Sequence, residues 1–195
     1  MKKNLIFTFL LLFGLTTISN AQFAVRAGLN LSNISLSSGD DELDFSDKIG
    51  FHVGLMADFG INENLSFRPG VLFSQRGAKL DFLGIEVKTN LTYIDIPLSF
   101  TYAFNSRESG FFVEAGPNVQ FLMSAKVEAD GESEDVKEDF ESLDFGLLIG
   151  AGYKVNSNLS FGVNYNLGLA NIAKGAEDGV TAKNRNIGIY AAYAF

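Results

Sequence analysis

His52 is the only histidine in the sequence, and imidazole is the side chain best suited to acid–base catalysis near neutral pH. A hydrolase would pair it with a reactive serine, but no Gly-x-Ser-x-Gly turn marks one. With one histidine and no cysteine, the chain also lacks the ligands of a typical zinc site. We therefore predict no catalytic, cofactor-binding or metal-binding residues, and we interpret His52 as a hydrogen-bonding residue.

Two acidic segments carry the excess negative charge. Residues 35–48 hold five carboxylates against one lysine, and residues 126–142 hold eight against two. Carboxylate oxygens suit Ca²⁺, but neither segment has the spacing of an EF-hand loop. We expect solvated loops, with Ca²⁺ binding as the alternative. Such an acidic surface disfavours nucleic acid as a partner.

Seven other charged residues follow a different pattern, because each lies on the polar face of an alternating segment. Four are positive and three are negative, namely Arg26, Arg68, Arg76 and Lys154 with Asp58, Asp95 and Glu114. If these faces line a narrow interior, the charges must pair, since an unpaired buried charge is costly. We predict a structural network of ion pairs; the alternative is a narrow, gated ion path.

Eight segments with an apolar–polar period of two would position these residues, because this period is typical of β-strands with one face in apolar surroundings. They are residues 22–32, 49–59, 65–76, 87–104, 111–123, 145–155, 159–169 and 186–195. Short turns at 61–64, 105–109 and 156–158 alternate with polar connections at 33–48, around 79–86, 126–142 and 171–184. Asn62-Glu63-Asn64-Leu65-Ser66-Phe67 and Asn156-Ser157-Asn158-Leu159-Ser160-Phe161 repeat one phrase, which predicts shared turn chemistry.

This layout predicts an all-β, eight-stranded, antiparallel up-and-down transmembrane barrel with short periplasmic turns and long extracellular loops. An aromatic residue near the periplasmic end of every apolar face supports an interfacial girdle: Phe23, Phe59, Phe67, Phe104, Phe111, Tyr153, Phe161 and Phe195. The alternative is a soluble, lipocalin-like barrel, but its outer face would be polar. Eight strands leave little open space inside, which disfavours a general diffusion pore.

The N-terminus has the pattern of an export signal. Lys2 and Lys3 precede an apolar run over residues 5–15, and small residues follow up to Ala21. We predict cleavage after Ala21, giving a signal peptide at 1–21 and a barrel domain at 22–195; the alternative is a membrane anchor. Without Lys2 and Lys3, the formal net charge of −8 becomes −10, which equals the sum of the two acidic segments, −4 and −6.

The final strand resembles the C-terminal signal that outer-membrane barrels present to their assembly machinery. The resemblance rests on Phe195 at the terminus, Tyr193 two residues before it and Gly188. It implies that the barrel assembly machinery and outer-membrane lipid or lipopolysaccharide are partners of this chain.

The phrase Tyr93-Ile94-Asp95-Ile96-Pro97-Leu98 resembles the fourth strand of PorT-like outer-membrane β-barrel proteins, which are small barrels of the OmpA/OmpX type. Arg26-Ala27-Gly28-Leu29-Asn30-Leu31-Ser32 and the Ala21-Gln22 cleavage site share the likeness. It implies an eight-stranded barrel in the outer membrane of Bacteroidetes-type bacteria. We expect a non-enzymatic barrel with a structural or surface-interaction role through its acidic loops; the alternative is an accessory role in a secretion or envelope-assembly complex, with an envelope protein as partner.

Overall fold

Long antiparallel strands form the architecture of the computed structural model, which describes residues 21–38, 41–82, 85–176 and 180–195. In chain order the strands are β1 Ala21–Ser38, β2 Asp41–Asp44, β3 Ser46–Gly60, β4 Leu65–Phe82, β5 Ile85–Ala103, β6 Gly110–Ala129, β7 Glu132–Asp135, β8 Leu143–Lys154, β9 Leu159–Gly168 and β10 Val180–Ala194. A 3-10 helix covers Lys137–Asp139. Among these described residues, no helix is long and apolar enough to cross a membrane.

Eight of the strands close into a ring in the order β1, β3, β4, β5, β6, β8, β9, β10. Closure comes from antiparallel pairing of β1 with β10, from Ala24 opposite Ala194 to Ser38 opposite Val180. Every strand of the ring is therefore paired on both sides, which leaves no open edge to recruit another chain. The predicted eight-stranded, up-and-down barrel is confirmed. The short strands β2 and β7 pair only with β1 and β6.

The repeated Asn-x-Asn phrase builds two equivalent turns at one end of the barrel, here called the short-turn end. Asn62 Oδ1 accepts hydrogen bonds from the backbone N–H groups of Asn64 and Leu65 at 2.9 and 2.8 Å. Asn156 Oδ1 accepts the same pair of bonds, both at 2.9 Å, in the second turn. The second asparagine of each turn donates to the neighbouring strand, Asn64 to Ala103 O and Asn158 to Ala194 O, each at 2.7 Å. The predicted shared turn chemistry is confirmed.

The opposite end, here called the long-loop end, has more strand than predicted. The predicted loop around 79–86 is strand on both sides of residues 83–84, which lie outside the described residues. The predicted loop 126–142 begins with residues 126–129, which belong to β6, and it contains β7. Residues 180–184, predicted as part of the connection 171–184, belong to β10. In these extensions the apolar residues, such as Ala78, Leu91 and Ala125, face the interior, whereas in the belt the apolar residues face outward. The apolar–polar alternation therefore changes phase where the belt ends, although the backbone pairing continues. The predicted signal peptide falls almost wholly on residues 1–20, which are not described; Ala21 begins β1.

Large apolar side chains cover the outside of the barrel rather than its interior. Leu29, Ile49, Leu55 and Val71 are all more than half exposed. The eight predicted girdle aromatics lie at the short-turn end, where Phe111 stacks edge-on against Tyr153 with ring centroids 4.9 Å apart. This outward apolar belt is the reverse of the exterior expected for a soluble barrel.

Candidate functional site

The interior of the barrel holds most of its buried polar side chains, including six of the seven charged residues predicted to line it. The seventh, Asp58, is half-buried at the short-turn end. Period-two alternation explains this placement, because each residue lies one step out of phase with the apolar belt. The structure brings the seven together as three clusters stacked along the barrel axis.

The first cluster joins β1, β6 and β10 around Glu114. Arg26 Nη2 lies 3.2 Å from Glu114 Oε1, and the Tyr190 hydroxyl donates to the same oxygen at 3.0 Å. The guanidinium carbon of Arg26 lies 3.3 Å from the centroid of the Tyr190 ring, within range of a cation–π contact. All three side chains are almost completely buried. The cluster therefore crosses the lumen and ties opposite walls together.

The second cluster lies nearest the short-turn end. Arg68 donates through Nη2 and Nε to Asp58 Oδ2, at 2.6 and 3.1 Å. Lys154 Nζ lies 3.7 Å from the same oxygen and donates to the carbonyl of Arg107 at 2.7 Å. Arg68 and Lys154 therefore share the carboxylate of Asp58, and the ammonium group of Lys154 also donates to a backbone carbonyl in a turn.

The third cluster surrounds Arg76 on β4. Its guanidinium donates to Asp95 and Gln120, and through Nε to Ser74 Oγ at 3.1 Å. The carboxylate, amide and hydroxyl come from β5, β6 and β4 itself. Asp95 belongs to the phrase used for the family resemblance, so in this chain that phrase helps to build the interior.

Neutral side chains fill the level between the first and third clusters. His52 Nδ1 lies 2.9 Å from Asn30 Oδ1, and Asn186 Nδ2 donates to that oxygen at 3.3 Å. The partner of His52 is an amide rather than the carboxylate of a Ser–His–acid relay. The geometry places His52 in a hydrogen-bonded level of the interior, as the sequence analysis expected.

Two interior residues were missed by the sequence analysis. Asn184 Nδ2 donates to Asp144 Oδ2 at 2.8 Å and to the Tyr93 hydroxyl at 3.0 Å. Asp144 is fully buried and supplies a fourth interior carboxyl group. Asp144 and Asn184 come just before the predicted strands 145–155 and 186–195, and for that reason the period-two pattern did not include them. Extending each pattern by one or two polar residues would have found them.

Side chains of β1 form hydrogen bonds with the backbone of β4 where the pairing between β3 and β4 is interrupted. Between Asp47 and His52, β3 carries a bulge, and its register against β4 shifts. Asn30 Nδ2 donates to Gln75 O at 3.0 Å, while Ser32 Oγ lies 3.1 Å from Gly77 O and accepts from Gly77 N at 3.0 Å. These bonds take the place of missing ladder bonds and keep the interior closed.

An apolar cap covers the interior at the long-loop end. Ile172, from the connection between β9 and β10, is fully buried against Tyr93, Leu91 and Leu122, and Val136 and Phe140 pack against this cluster. Backbone bonds hold the cap together: Glu141 N donates to Ile172 O and Lys174 N to Asp139 O, both at 2.9 Å. The connections after β7 and β9 therefore fold over the mouth of the barrel.

The remaining interior space is small. A cavity of about 20 Å³ lies beside His52, Asn118 and Asn186, and one of about 30 Å³ lies beside Asp58 and Lys154. Each holds roughly one water molecule. This interior gives the described part of the chain no wide aqueous channel.

The carboxylates of the second acidic segment are turned to solvent, although Val136 and Phe140 of the same segment pack into the cap. Its carboxylate residues are all exposed, and they are Glu128, Asp130, Glu132, Glu134, Asp135, Glu138, Asp139 and Glu141. Of the first segment, Asp40 lies outside the described residues and Asp41, Glu42 and Asp44 belong to β2. Within the described ranges, no three acidic, histidine or cysteine side chains form a group that could hold a metal ion.

The residues of the predicted assembly signal lie on the closing strand. Tyr193 and Phe195 point outward and are more than half exposed, while Gly188 lies opposite Asn164 on β9. Phe195 N donates to Phe23 O at 2.9 Å, so the last residue closes the ring against β1.

Comparison with known proteins gives a family match. The model of the family described as outer membrane protein beta-barrel domain matches residues 8–174. No curated protein sequence matches the chain.

Three solved structures are similar in fold. Neisserial surface protein A has 20% identity and a TM-score of 0.57, over 90% of this chain and 99% of that chain. Ail, the attachment invasion locus protein of Yersinia pestis, has 16% identity and a TM-score of 0.49 over 90% and 99% of the two chains. The outer membrane protein OprG of Pseudomonas aeruginosa has 15% identity and a TM-score of 0.49 over 90% and 96%. The likeness to the neisserial protein shows the fold of a small outer-membrane barrel.

Proposed function

The chain belongs to the outer membrane protein beta-barrel domain family and is an integral outer-membrane protein, and we propose that it acts without catalysis, through its long-loop end at the cell surface. The observation that carries the proposal is the contrast between the two parts of the barrel. The interior is filled by paired charges and capped by Ile172, whereas eight carboxylates of the second acidic segment are exposed beyond the cap. Because the interior side chains bind one another and the cap covers them, the exposed long-loop end is the part of the barrel that can contact partners.

The acidic segments favour basic partners. Opposite charges speed and orient encounters at exposed surfaces, and the attraction weakens as salt rises. We propose that a basic segment of an envelope or surface protein, or divalent cations bridging to lipopolysaccharide, meet the carboxylates of the β6–β7 hairpin. Export by a cleaved signal peptide at 1–21, and assembly through Gly188, Tyr193 and Phe195, belong to the same proposal.

A second candidate function rests on the resemblance to PorT-like proteins. In it, the barrel is an accessory component of a protein secretion or envelope-assembly complex. Tyr93 and Asp95 of the shared phrase are buried in the interior, so the phrase supports the fold of this group rather than its task.

Mild detergent extraction followed by identification of co-purifying proteins tests both candidates. Unboiled and boiled gel samples show whether the extracted barrel is intact. A barrel that purifies alone, and binds a basic peptide only while Glu128, Glu132 and Glu134 are present, supports the surface role. A stoichiometric envelope partner that stays bound after these residues are changed to glutamine would replace it with the assembly role.

A further inference from the structure

The short-turn end of the barrel opens into a polar cavity, here called the mouth cavity. Its outer lining is the exposed turn of Asn156, Ser157 and Asn158, and its inner lining includes the buried Arg26 and Tyr190. The cavity therefore connects the surface of this end with the first ion-pair cluster. Its volume of about 30 Å³ leaves room for one water molecule or one end group of similar size, but not for a larger molecule.

Small side chains of the two closing strands leave this space open. The cavity is lined by Ala24 of β1 and by Ala192 and Ala194 of β10. Ala24 lies opposite Ala194, and Arg26 lies opposite Ala192. Arg26 follows Ala24 by two residues, so both side chains are on the inner face of β1. Larger side chains in place of these alanines would fill the space beside the cations.

The mouth cavity holds one more positive than negative charge. Arg68 and Lys154 line it together with Asp58, and the described ion pairs of both cations are with this one carboxylate. Arg26, the third cation of the lining, is paired with Glu114. Three cations against two carboxylates leave a surplus charge of +1. Because Arg68 and Lys154 are only 9% exposed, water compensates this charge poorly, and a buried charge without a counter-ion is costly.

Three charged residues on the turns lie outside this count. Glu63 and Glu108 are exposed and do not line the cavity. Arg107 is half-buried; its carbonyl oxygen accepts from Lys154 at 2.7 Å, and its guanidinium lies against Gly60. The two glutamates are in contact with solvent, where salt screens their charges, whereas the charges inside the cavity are screened much less. The surplus charge of the cavity therefore remains.

The free donors of the cavity suit a carboxylate. Arg26 Nε is buried and has no hydrogen-bond acceptor among the described residues. Lys154 Nζ has three N–H groups, and its described partners are Arg107 O at 2.7 Å and the more distant Asp58 Oδ2 at 3.7 Å. Guanidinium and ammonium groups bind carboxylates through short, charge-assisted hydrogen bonds. A carboxylate also carries a single negative charge, which matches the surplus of one.

We propose that the mouth cavity binds a carboxylate group presented from the periplasm, either a free small carboxylate or the C-terminal carboxylate of a peptide. The inference rests on the proposed function only for its orientation, in which the long-loop end faces the cell exterior. It gives the short-turn end a ligand site of its own, opposite to the acidic surface in position and in charge.

The test is a titration of the folded wild-type barrel, in uncharged detergent micelles and at constant ionic strength. The probes are ¹³C-labelled acetate, N-acetyl-glycylglycine and the C-terminal amide of that peptide, and binding is followed by NMR line broadening. The variant Lys154→Met removes the surplus charge, whereas Asp58→Asn raises it from one to two. Lys174→Met, at an exposed position of the long-loop end, is the control with the same charge change as Lys154→Met. Gel mobility of unboiled samples verifies folding, and Asp58→Asn keeps the test decisive if Lys154→Met fails to fold.

We expect wild type and control to bind a carboxylate probe with equal affinity. Lys154→Met should bind it about tenfold more weakly or worse, and Asp58→Asn about tenfold more tightly, because hydrogen bonds between charged groups in a buried site are strong. The amide should not bind to any of the proteins. An ion-pair cluster with a purely structural role would lose stability in Asp58→Asn but would gain no affinity for a carboxylate.

Binding of acetate assigns the site to small carboxylates, and binding of the peptide acid alone assigns it to chain ends; both results support the site. No binding of either acid, or equal affinities in Lys154→Met and Asp58→Asn, would overturn it. The titration uses isolated barrels, so its failure leaves the proposed surface role in place. Failure of that role in the co-purification experiment likewise leaves the titration valid.

Discussion

The cluster of Arg26, Glu114 and Tyr190 offers a quantitative test of the structural interior. Arg26→Met leaves the Glu114 carboxylate buried without its cation, and Glu114→Gln leaves the guanidinium without its anion. Removing one partner of a buried ion pair typically costs about 3–5 kcal/mol, because the remaining charge stays desolvated. In Glu114→Gln the side-chain oxygen still accepts from Tyr190, so the loss reports mainly the charge.

The double variant separates pairing from general disruption. If the 3.2 Å contact between Arg26 and Glu114 couples the two residues, the double variant loses less stability than the two single variants together. We expect a coupling free energy of about 1–3 kcal/mol, as is usual for residues in direct contact. Lys174→Met, at an exposed position, serves as the control and should change stability by less than about 0.5 kcal/mol.

Urea unfolding of the barrel in lipid vesicles gives the measurement. The chain has no tryptophan, so far-UV circular dichroism and the mobility of unboiled samples report the folded fraction. Single variants that each cost less than about 1 kcal/mol, with strictly additive effects, would refute a stabilising role for the pair.

Three further predictions address other parts of the barrel. Asp95→Asn leaves Arg76 undercompensated and should lower the unfolding free energy by about 3 kcal/mol without creating conductance in planar bilayers; unchanged stability or new channel steps would contradict this. Gly28→Val should prevent barrel closure, because a side chain at this position would clash with Ile189 O and the His52 ring. The control Gly131→Asn has open space around the new side chain and should fold normally. Equal heat-modifiability of the two variants would contradict this prediction. Phe195→Ser should refold in vitro with stability within about 1 kcal/mol of wild type but reach the outer membrane less often in cells; equal amounts in fractionated membranes would argue against the assembly signal.

The strands of the belt could be predicted from sequence because one face meets apolar surroundings and the other faces a polar interior. This contrast exists from Ile49 to Phe59 and in the matching parts of the other strands, and it also placed Arg26 and Glu114 on the correct face. Beyond the belt the apolar residues turn to the inner face, as Ala78 and Ala125 do, so the period changes phase at the extensions around Lys79 and Lys126 and did not continue the pattern of the belt.

The remaining features depend on contacts distant in sequence. Asp144 and Asn184 are 40 residues apart and belong to strands separated by β9, so only the closed ring brings them together. Ile172 and Phe140 are isolated apolar residues in polar connections, and nothing periodic marks them as a cap. The bonds from Asn30 and Ser32 to β4 depend on a bulge in β3, whose position the apolar pattern did not reveal.

Single-channel recording of the wild-type protein in planar bilayers tests the central claim most directly, namely that ion pairs and the apolar cap close this barrel. A general diffusion porin in the same bilayers provides the positive control. The structure predicts that verified, heat-modifiable barrels insert without producing current steps, because the cavities beside Asp58 and Lys154 and beside His52 are no larger than about 30 and 20 Å³ and the apolar cap covers the long-loop end. Stable, ion-selective steps from the wild-type protein would show instead that the charged interior is a conducting path.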